Sequence, residues 1–188
     1  MAQLLLAGMP VMEKADGTAC LEWGTVRFTC KAFRTWGEAQ MTILAGYDPG
    51  DATGFCLSYY DAITPLRHIS HTIIKGGLPG VIEHWYANNI ANEADEVVCE
   101  SFRLDGRTQN PDTIPLEIQG ALTALCWDMP FALQANTYKS HVTDAKLKEL
   151  ELWWPGEGHD RDALRHSLAY LKTRGHYPTL RWAFPPQL

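Results

Sequence analysis

Seven residues without a charge, Met41-Thr-Ile-Leu-Ala-Gly-Tyr47, run into Asp48-Pro49-Gly50. They read as a buried strand that ends at Tyr47-Asp48. Proline presets φ and glycine tolerates positive φ, so Pro49-Gly50 with Asp51 makes the turn that follows. Residues after that turn keep a regular order. Gly54 to Tyr60 and Leu66 to Ile74 alternate like strands, and Asp95 to Phe102 contains the buried run Val97-Val98-Cys99-Glu100. Leu78 to Ile90 has Val81, Ile82, Trp85 and Tyr86 at helical spacing. Further helices are expected at Thr113 to Trp127, Thr143 to Leu152 and His159 to Lys172, with a fifth strand at Phe131 to Gln134. Three strands in succession, then strands alternating with helices, predict a mixed α/β sheet of five strands flanked by helices.

The first 40 residues read differently. They carry turn signals at Asp16-Gly17, Trp23-Gly24 and Trp36-Gly37 and one strand-like stretch, Thr25 to Lys31. The expected organisation is an N-terminal extension, 1–40, ahead of a catalytic domain, 41–188. Met41 is a candidate for the true start, which the mass of the natively expressed product would decide. Residues 1–12 are somewhat apolar but lack a basic leader and a cleavage site, which argues against a secretory signal. Apolar runs such as Leu4 to Ala7 are too short to span a membrane. Five cysteines, an odd number without any CxxC pair, fit reduced thiols in a cytoplasm.

The formal net charge of the 188-residue chain is −6, which by itself disfavours a nucleic-acid partner. Its distribution matters more. Residues 41–137 carry a balance of −8, whereas residues 138–188 hold eight basic and six acidic side chains. A local basic face can meet phosphates on an acidic protein.

Asp48 stands at the carboxyl end of a buried strand, where α/β sheets collect ligands and catalysts, although an Asp-Pro-Gly turn is common. Glu100 interrupts an apolar strand, and a buried carboxylate is costly unless something positive offsets its desolvation. Alternation in a strand leaves open the possibility that Glu100 faces solvent. His159 and Asp162 share a face of the last helix, with His166 one turn beyond Asp162, while Asp160 points elsewhere. Acids near a helix start also serve as simple capping charges. Taken together, Asp48, Glu100, His159 and Asp162 would converge on one site. Carboxylates so close would take up protons unless a cation neutralised them, and magnesium suits such oxygen donors.

These motifs carry a resemblance. Ile43-Leu-Ala-Gly-Tyr-Asp-Pro-Gly50 with Thr53-Gly54-Phe55 resembles the opening hairpin of RuvC-type Holliday junction resolvases, a branch of the ribonuclease H-like superfamily. The strand ending in Glu100 is similar to their second acidic strand. His159-x-x-Asp162-Ala163-Leu164 resembles the motif on their final helix, and a His-x-x-Asp-Ala-x-x-His helix is similar to that of bacteriophage resolvase-like proteins. Tyr138-Lys139 and Thr143-Asp-Ala-Lys-Leu-Lys148 look like the basic segment ahead of that helix. The likeness covers about residues 41–174, and the order of the motifs is more telling than any one of them.

The resemblance implies a ribonuclease H-like fold and a magnesium-dependent endonuclease, with manganese as a substitute. Asp48, Glu100 and Asp162 would be metal-binding carboxylates. His159 would be a fourth ligand or would orient the attacking water. Lys139, Lys146 and Lys148 would contact phosphates. The implied substrate is four-way or branched DNA, the implied assembly a homodimer with two sites, and the implied location the cytoplasm of a bacterial or phage-infected cell. The turn after Asp48 is one residue shorter than in the usual bacterial enzyme, the charge is more acidic, and residues 1–40 have no counterpart. Flap cleavage or simpler nuclease activity would use the same site.

Other features have plainer readings. His68 and His71 form HxxH, which in a regular strand places them on opposite faces and argues against a shared metal. Glu117 reads as a solvated helix acid, and Trp153-Trp154 as core packing or a surface for base stacking. Three rivals compete with the nuclease: a non-catalytic binding module on the same fold, an actin-like ATPase, and a cysteine hydrolase using Cys56 or Cys99. The ATPase needs a second domain and a second glycine-rich loop that Met41 to Leu188 has no room for. The hydrolase has no supporting nucleophile motif.

Overall fold

The computed structural model describes residues 11–13, 19–23, 26–29, 40–104 and 112–186. Contacts divide the chain into two compact units, Met1–Glu38 and Ala39–Leu188. The first contains three short strands, β1 (Val11–Glu13), β2 (Ala19–Trp23) and β3 (Val26–Thr29), paired antiparallel in that order. β3 falls within the stretch expected to be a strand. The turns at Asp16-Gly17 and Trp36-Gly37, and Gly24, lie outside the described residues.

The second unit is a five-stranded mixed sheet flanked by helices, with a ribonuclease H-like architecture. Strands β4 (Thr42–Asp48), β5 (Ala52–Tyr60) and β6 (Arg67–Lys75) run antiparallel, and β7 (Glu96–Ser101) and β8 (Phe131–Ala135) extend the sheet in parallel from β4. The sheet order is β6-β5-β4-β7-β8. One face is covered by α1 (Gly77–Ala87), α2 (Ile90–Glu93) and α3 (Ile114–Leu125), whose Val81, Trp85, Ile90, Ile118 and Leu122 bury against Ala45, Tyr47, Val97 and Cys99. The other face packs Leu44, Cys56 and Val98 on Ala163, Leu164, Leu168 and Leu171 of α5 (His159–Thr173). Leu147 of α4 (Asp144–Glu149) and Ala183 of α6 (Tyr177–Ala183) complete that second core. Cys56, Cys99 and Cys126 are buried free thiols.

Two glycines let α5 lie so close to the sheet. A Cβ on Gly54 would stand 1.9 Å from the carbonyl oxygen of His159, and one on Gly46 would stand 2.6 Å from that of Ala163. Both clashes are with backbone, which no rotamer change relieves.

Three expectations are corrected. The helix expected to continue to Ile90 stops at Ala87, because Asn89 adopts φ of 52° and restarts the chain as α2. Asparagine tolerates that left-handed conformation better than most residues. Helix α6 follows α5 where no helix was expected. Finally, His68 and His71 share a face. Leu57 pairs with Ser70 but Ser58 pairs with His68, so Ile69 is an extra residue in β6. That bulge shifts the alternation by one, and His71 Nδ1 comes within 3.0 Å of His68 Nε2.

Candidate active site

Strand parity builds the site. β4 and β7 run parallel with Leu44 beside Glu96, Gly46 beside Val98 and Tyr47 beside Cys99. Asp48 and Glu100 are the next residues along, on the face that α5 covers. Each is only 6% exposed. The rotation of α5 then brings His159, Asp162 and His166, at positions i, i+3 and i+7, along the same edge. His159 Nδ1 lies 3.1 Å from Asp48 Oδ2, and the fully buried His166 places Nε2 3.2 Å from Glu100 Oε2. Asp48, Glu100 and His166 each offer a ligand atom within 4.8 Å of the others, a group that could hold a metal ion.

Lys139 reaches the same cluster from the segment after β8. A short 3-10 turn, Asn136–His141, follows β8 and carries its ammonium over the ends of β4 and β7. Nζ lies 3.4 Å from Asp48 Oδ1, 3.0 Å from Glu100 Oε2 and 3.1 Å from Asp162 Oδ2. All four residues expected at the site therefore come together, and Lys139 joins them. Lys146 pairs instead with Glu149 at 2.9 Å, and Lys148 sits 4.6 Å from the ring centre of Trp153.

His166 and Gln134 enlarge the expected set. With its amide nitrogen turned to His166, Gln134 donates to the histidine carbonyl oxygen (3.0 Å) and to Nδ1 (3.3 Å), and its oxygen accepts from the Tyr170 N–H (2.9 Å). Nδ1 is then an acceptor, so the proton of the neutral ring is on Nε2 and is donated to Glu100. Turning the amide over would free Nε2 for a cation. The sequence signal for His166 was its helical spacing from His159 and Asp162, whereas nothing marked Gln134. Arg165 was equally silent: its guanidinium ties Asp162 to Asp144 and donates to the Val142 carbonyl oxygen at 2.7 Å.

The electrostatics favour a cation. Burial, then the hydrogen bond shared with Glu100, pushes the Asp48 carboxyl up to about 7, although Lys139 and His159 pull it down. Burial is also the largest influence on Glu100, and upward, but hydrogen bonds from His166, Asp48 and Lys139 together bring that carboxyl down to about 2. The pair behaves as two acids sharing a proton, with Glu100 ionised and Asp48 keeping it. Burial lowers the Lys139 ammonium, but the surrounding carboxylates outweigh it and raise its pKa. Below its pKa, Asp48 gives up its proton only when a further positive charge arrives, because the Lys139 ammonium and the Arg165 guanidinium, itself shared between Asp162 and Asp144, do not offset all the carboxylates once Asp48 is ionised. Hard oxygen donors that can exchange a proton for a cation fit a divalent ion such as magnesium or manganese.

Beside this cluster Trp154 stacks on His71 with ring centres 3.9 Å apart and donates Nε1–H to Asp160 at 2.7 Å. Trp153 is the more exposed of the tryptophan pair, at 36%. Glu117 is exposed and accepts a hydrogen bond from Thr113.

The fold has solved counterparts. Two structures of Thermus thermophilus RuvC, one of them in complex with a Holliday junction substrate, each superpose with a TM-score of 0.54 at 15% identity, covering 72% of this chain and 98% of that one. The yeast mitochondrial Holliday junction resolvase Ydc2 is more distant, with a TM-score of 0.46 at 14% identity over 74% of this chain and 82% of that one. No protein-family model and no curated protein sequence matches the chain. The unit Ala39–Leu188 has a RuvC-like fold. No helix among the described residues is long and apolar enough to cross a membrane.

Proposed function

We propose that this chain is a divalent-metal-dependent endonuclease that cuts branched DNA, with the four-way junction as its preferred substrate. The observation that carries this reading is the convergence of Asp48, Glu100 and Asp162 from two strands and a helix, on a fold whose Thermus counterpart was captured with a Holliday junction substrate. In the reaction a water oxygen attacks phosphorus, the P–O bond to the leaving oxygen breaks, and a proton passes from the water to that oxygen. A bound magnesium or manganese ion would supply Lewis-acid stabilisation of the phosphate oxygens.

The chain's own residues divide the remaining work. Asp48, Glu100 and Asp162 hold the ion. His159, with 47% of its side chain exposed and its Nδ1 anchored on Asp48, can take the proton of the attacking water. His166 keeps Glu100 oriented through its N–H. Lys139, Lys146 and Lys148 neutralise the nucleic-acid backbone on the basic C-terminal part of the chain. A homodimer with two such sites would cut a junction symmetrically. The narrower affinity to bacteriophage resolvases rests on the His159-x-x-Asp162-Ala163-x-x-His166 pattern. Residues 1–40 are an appendage to this nuclease domain.

Labelled four-way, flap, single-stranded and duplex DNA and an RNA–DNA hybrid, incubated with magnesium, manganese or chelator, test the reading. Cutting of the branched substrates with either metal is expected, and none with chelator. Asp48→Asn and Asp162→Asn should each lower the rate by about a hundredfold or more while the protein stays folded, since altering even groups around the ligands of a metal site costs about 10–100-fold. Tight junction binding without cutting in any metal would leave a non-catalytic binding module. Equal cutting by wild type and both variants would refute the site.

A further inference from the structure

The Lys139 ammonium donates to Asp48 at 3.4 Å and to Glu100 at 3.0 Å and stands 3.1 Å from Asp162 Oδ2, so it sits at the centre of the three acids. In that position it is committed to carboxylates and not to a phosphate. A divalent ion would need the same oxygens at about 2.0–2.6 Å, and two cations cannot share so small a space. We infer that Lys139 is a tethered occupant of the cation position, which a divalent ion displaces and thereby frees for the nucleic-acid backbone. This rests on the metal-dependent reading above and adds to it a second position for one side chain of the site.

The surroundings of Lys139 allow such an exchange. Its backbone belongs to the short turn Asn136–His141 and not to a strand, and its side chain is 22% exposed. Next to it opens a cleft of about 600 Å³ lined by Asn136, Thr137, Ser140, Thr143 and Arg165. A lysine stem can turn into that cleft by rotation about its own bonds, with the backbone left in place. While the lysine is at home it holds three acids together that would otherwise repel. Once displaced, it presents a free ammonium beside the cluster. Cation and nucleic acid then strengthen each other's binding, because each favours the displaced state of one side chain. The expected phosphate contact of Lys139 and its observed ion pairs are two positions of the same group.

Binding of manganese alone to the full chain, measured by titration calorimetry, tests the exchange in wild type, Lys139→Met, Lys139→Gln and Asp48→Asn. Thermal unfolding in chelator accompanies it. If the lysine fills the site about nine-tenths of the time, removing it tightens manganese binding about tenfold. Lys139→Met should also unfold at a lower temperature than wild type in chelator and recover when manganese is added. Lys139→Gln, which keeps a polar side chain, should move both readouts in the same direction and serves if the methionine variant does not fold. Unchanged or weaker manganese binding by both lysine variants overturns the exchange. In that case loss of binding by Asp48→Asn alone would leave the metal reading standing. No manganese binding by wild type or by either lysine variant overturns both.

Discussion

Asp48 carries the clearest pH signature of any single residue here. Its carboxyl is held up at about 7 by burial and by the shared proton with Glu100. An acid with a raised folded-state pKa binds its proton more tightly folded than unfolded. Its stabilising contribution is therefore full below the ordinary carboxylate value of 3.8 and is lost as pH rises through about 7. A cation takes the place of that proton. Cation uptake at about pH 6 should release nearly one proton, and uptake at about pH 8 almost none, with affinity rising towards pH 7 and then levelling off. Calorimetry in buffers of different ionisation enthalpy reads this directly. Proton release that is the same at both pH values would show that Asp48 is not the residue holding it.

At the level of elements, the docking of α5 on the sheet decides whether the site exists. His159, Asp162 and His166 meet Asp48 and Glu100 because β4 and β5 present glycine where the helix backbone passes. Gly54→Ala would force a Cβ into the His159 carbonyl, which a Cβ on this backbone would meet at 1.9 Å. Overpacking a core costs about 1–3 kcal/mol when side chains can adjust, and here the obstacle is backbone. A loss at or above about 3 kcal/mol is expected by urea denaturation, together with weaker manganese binding, since His159 would be pushed from Asp48. A Gly54→Ala protein as stable as wild type would mean that α5 sits farther from β5 than described. The sheet itself was readable in outline. Five strands and α5 were visible from alternation and turn residues, while α6 and the stop at Asn89 were not. A short helix gains its stability from packing, which has no local signature.

For the molecule as a whole, contacts separate Met1–Glu38 from Ala39–Leu188. The second unit has two cores of its own, one on each face of its sheet. A fragment beginning at Ala39 should therefore fold cooperatively, with a melting temperature within a few degrees of the full chain and the same manganese affinity. Circular dichroism and calorimetry on the fragment check this. A fragment that is unfolded at room temperature would show that residues 1–38 contribute to the core. The net charge of −6 also has a consequence at this scale: any nucleic acid must be met by the local cations of residues 138–188, so binding should weaken steeply with salt.

Local chemistry announced Asp48 and Glu100, because a charge at a strand end or inside an apolar run is costly wherever the chain goes, whereas His159 and Asp162 were marked only by their spacing on one helix face and by the order of the motifs. Periodicity likewise announced the order of strands and helices. The partners of those charges were decided elsewhere. Every residue of β7 from Glu96 to Glu100 is buried, so no alternation indicated which face Glu100 takes, and only pairing with β4 put it beside Asp48. A single extra residue in β6 brought His68 to His71. Lys139 meets Asp48 across 91 positions of chain and His166 meets Glu100 across 66. Contacts of that span follow from strand register and helix rotation, which are settled by packing of the whole unit and leave no trace in neighbouring residues.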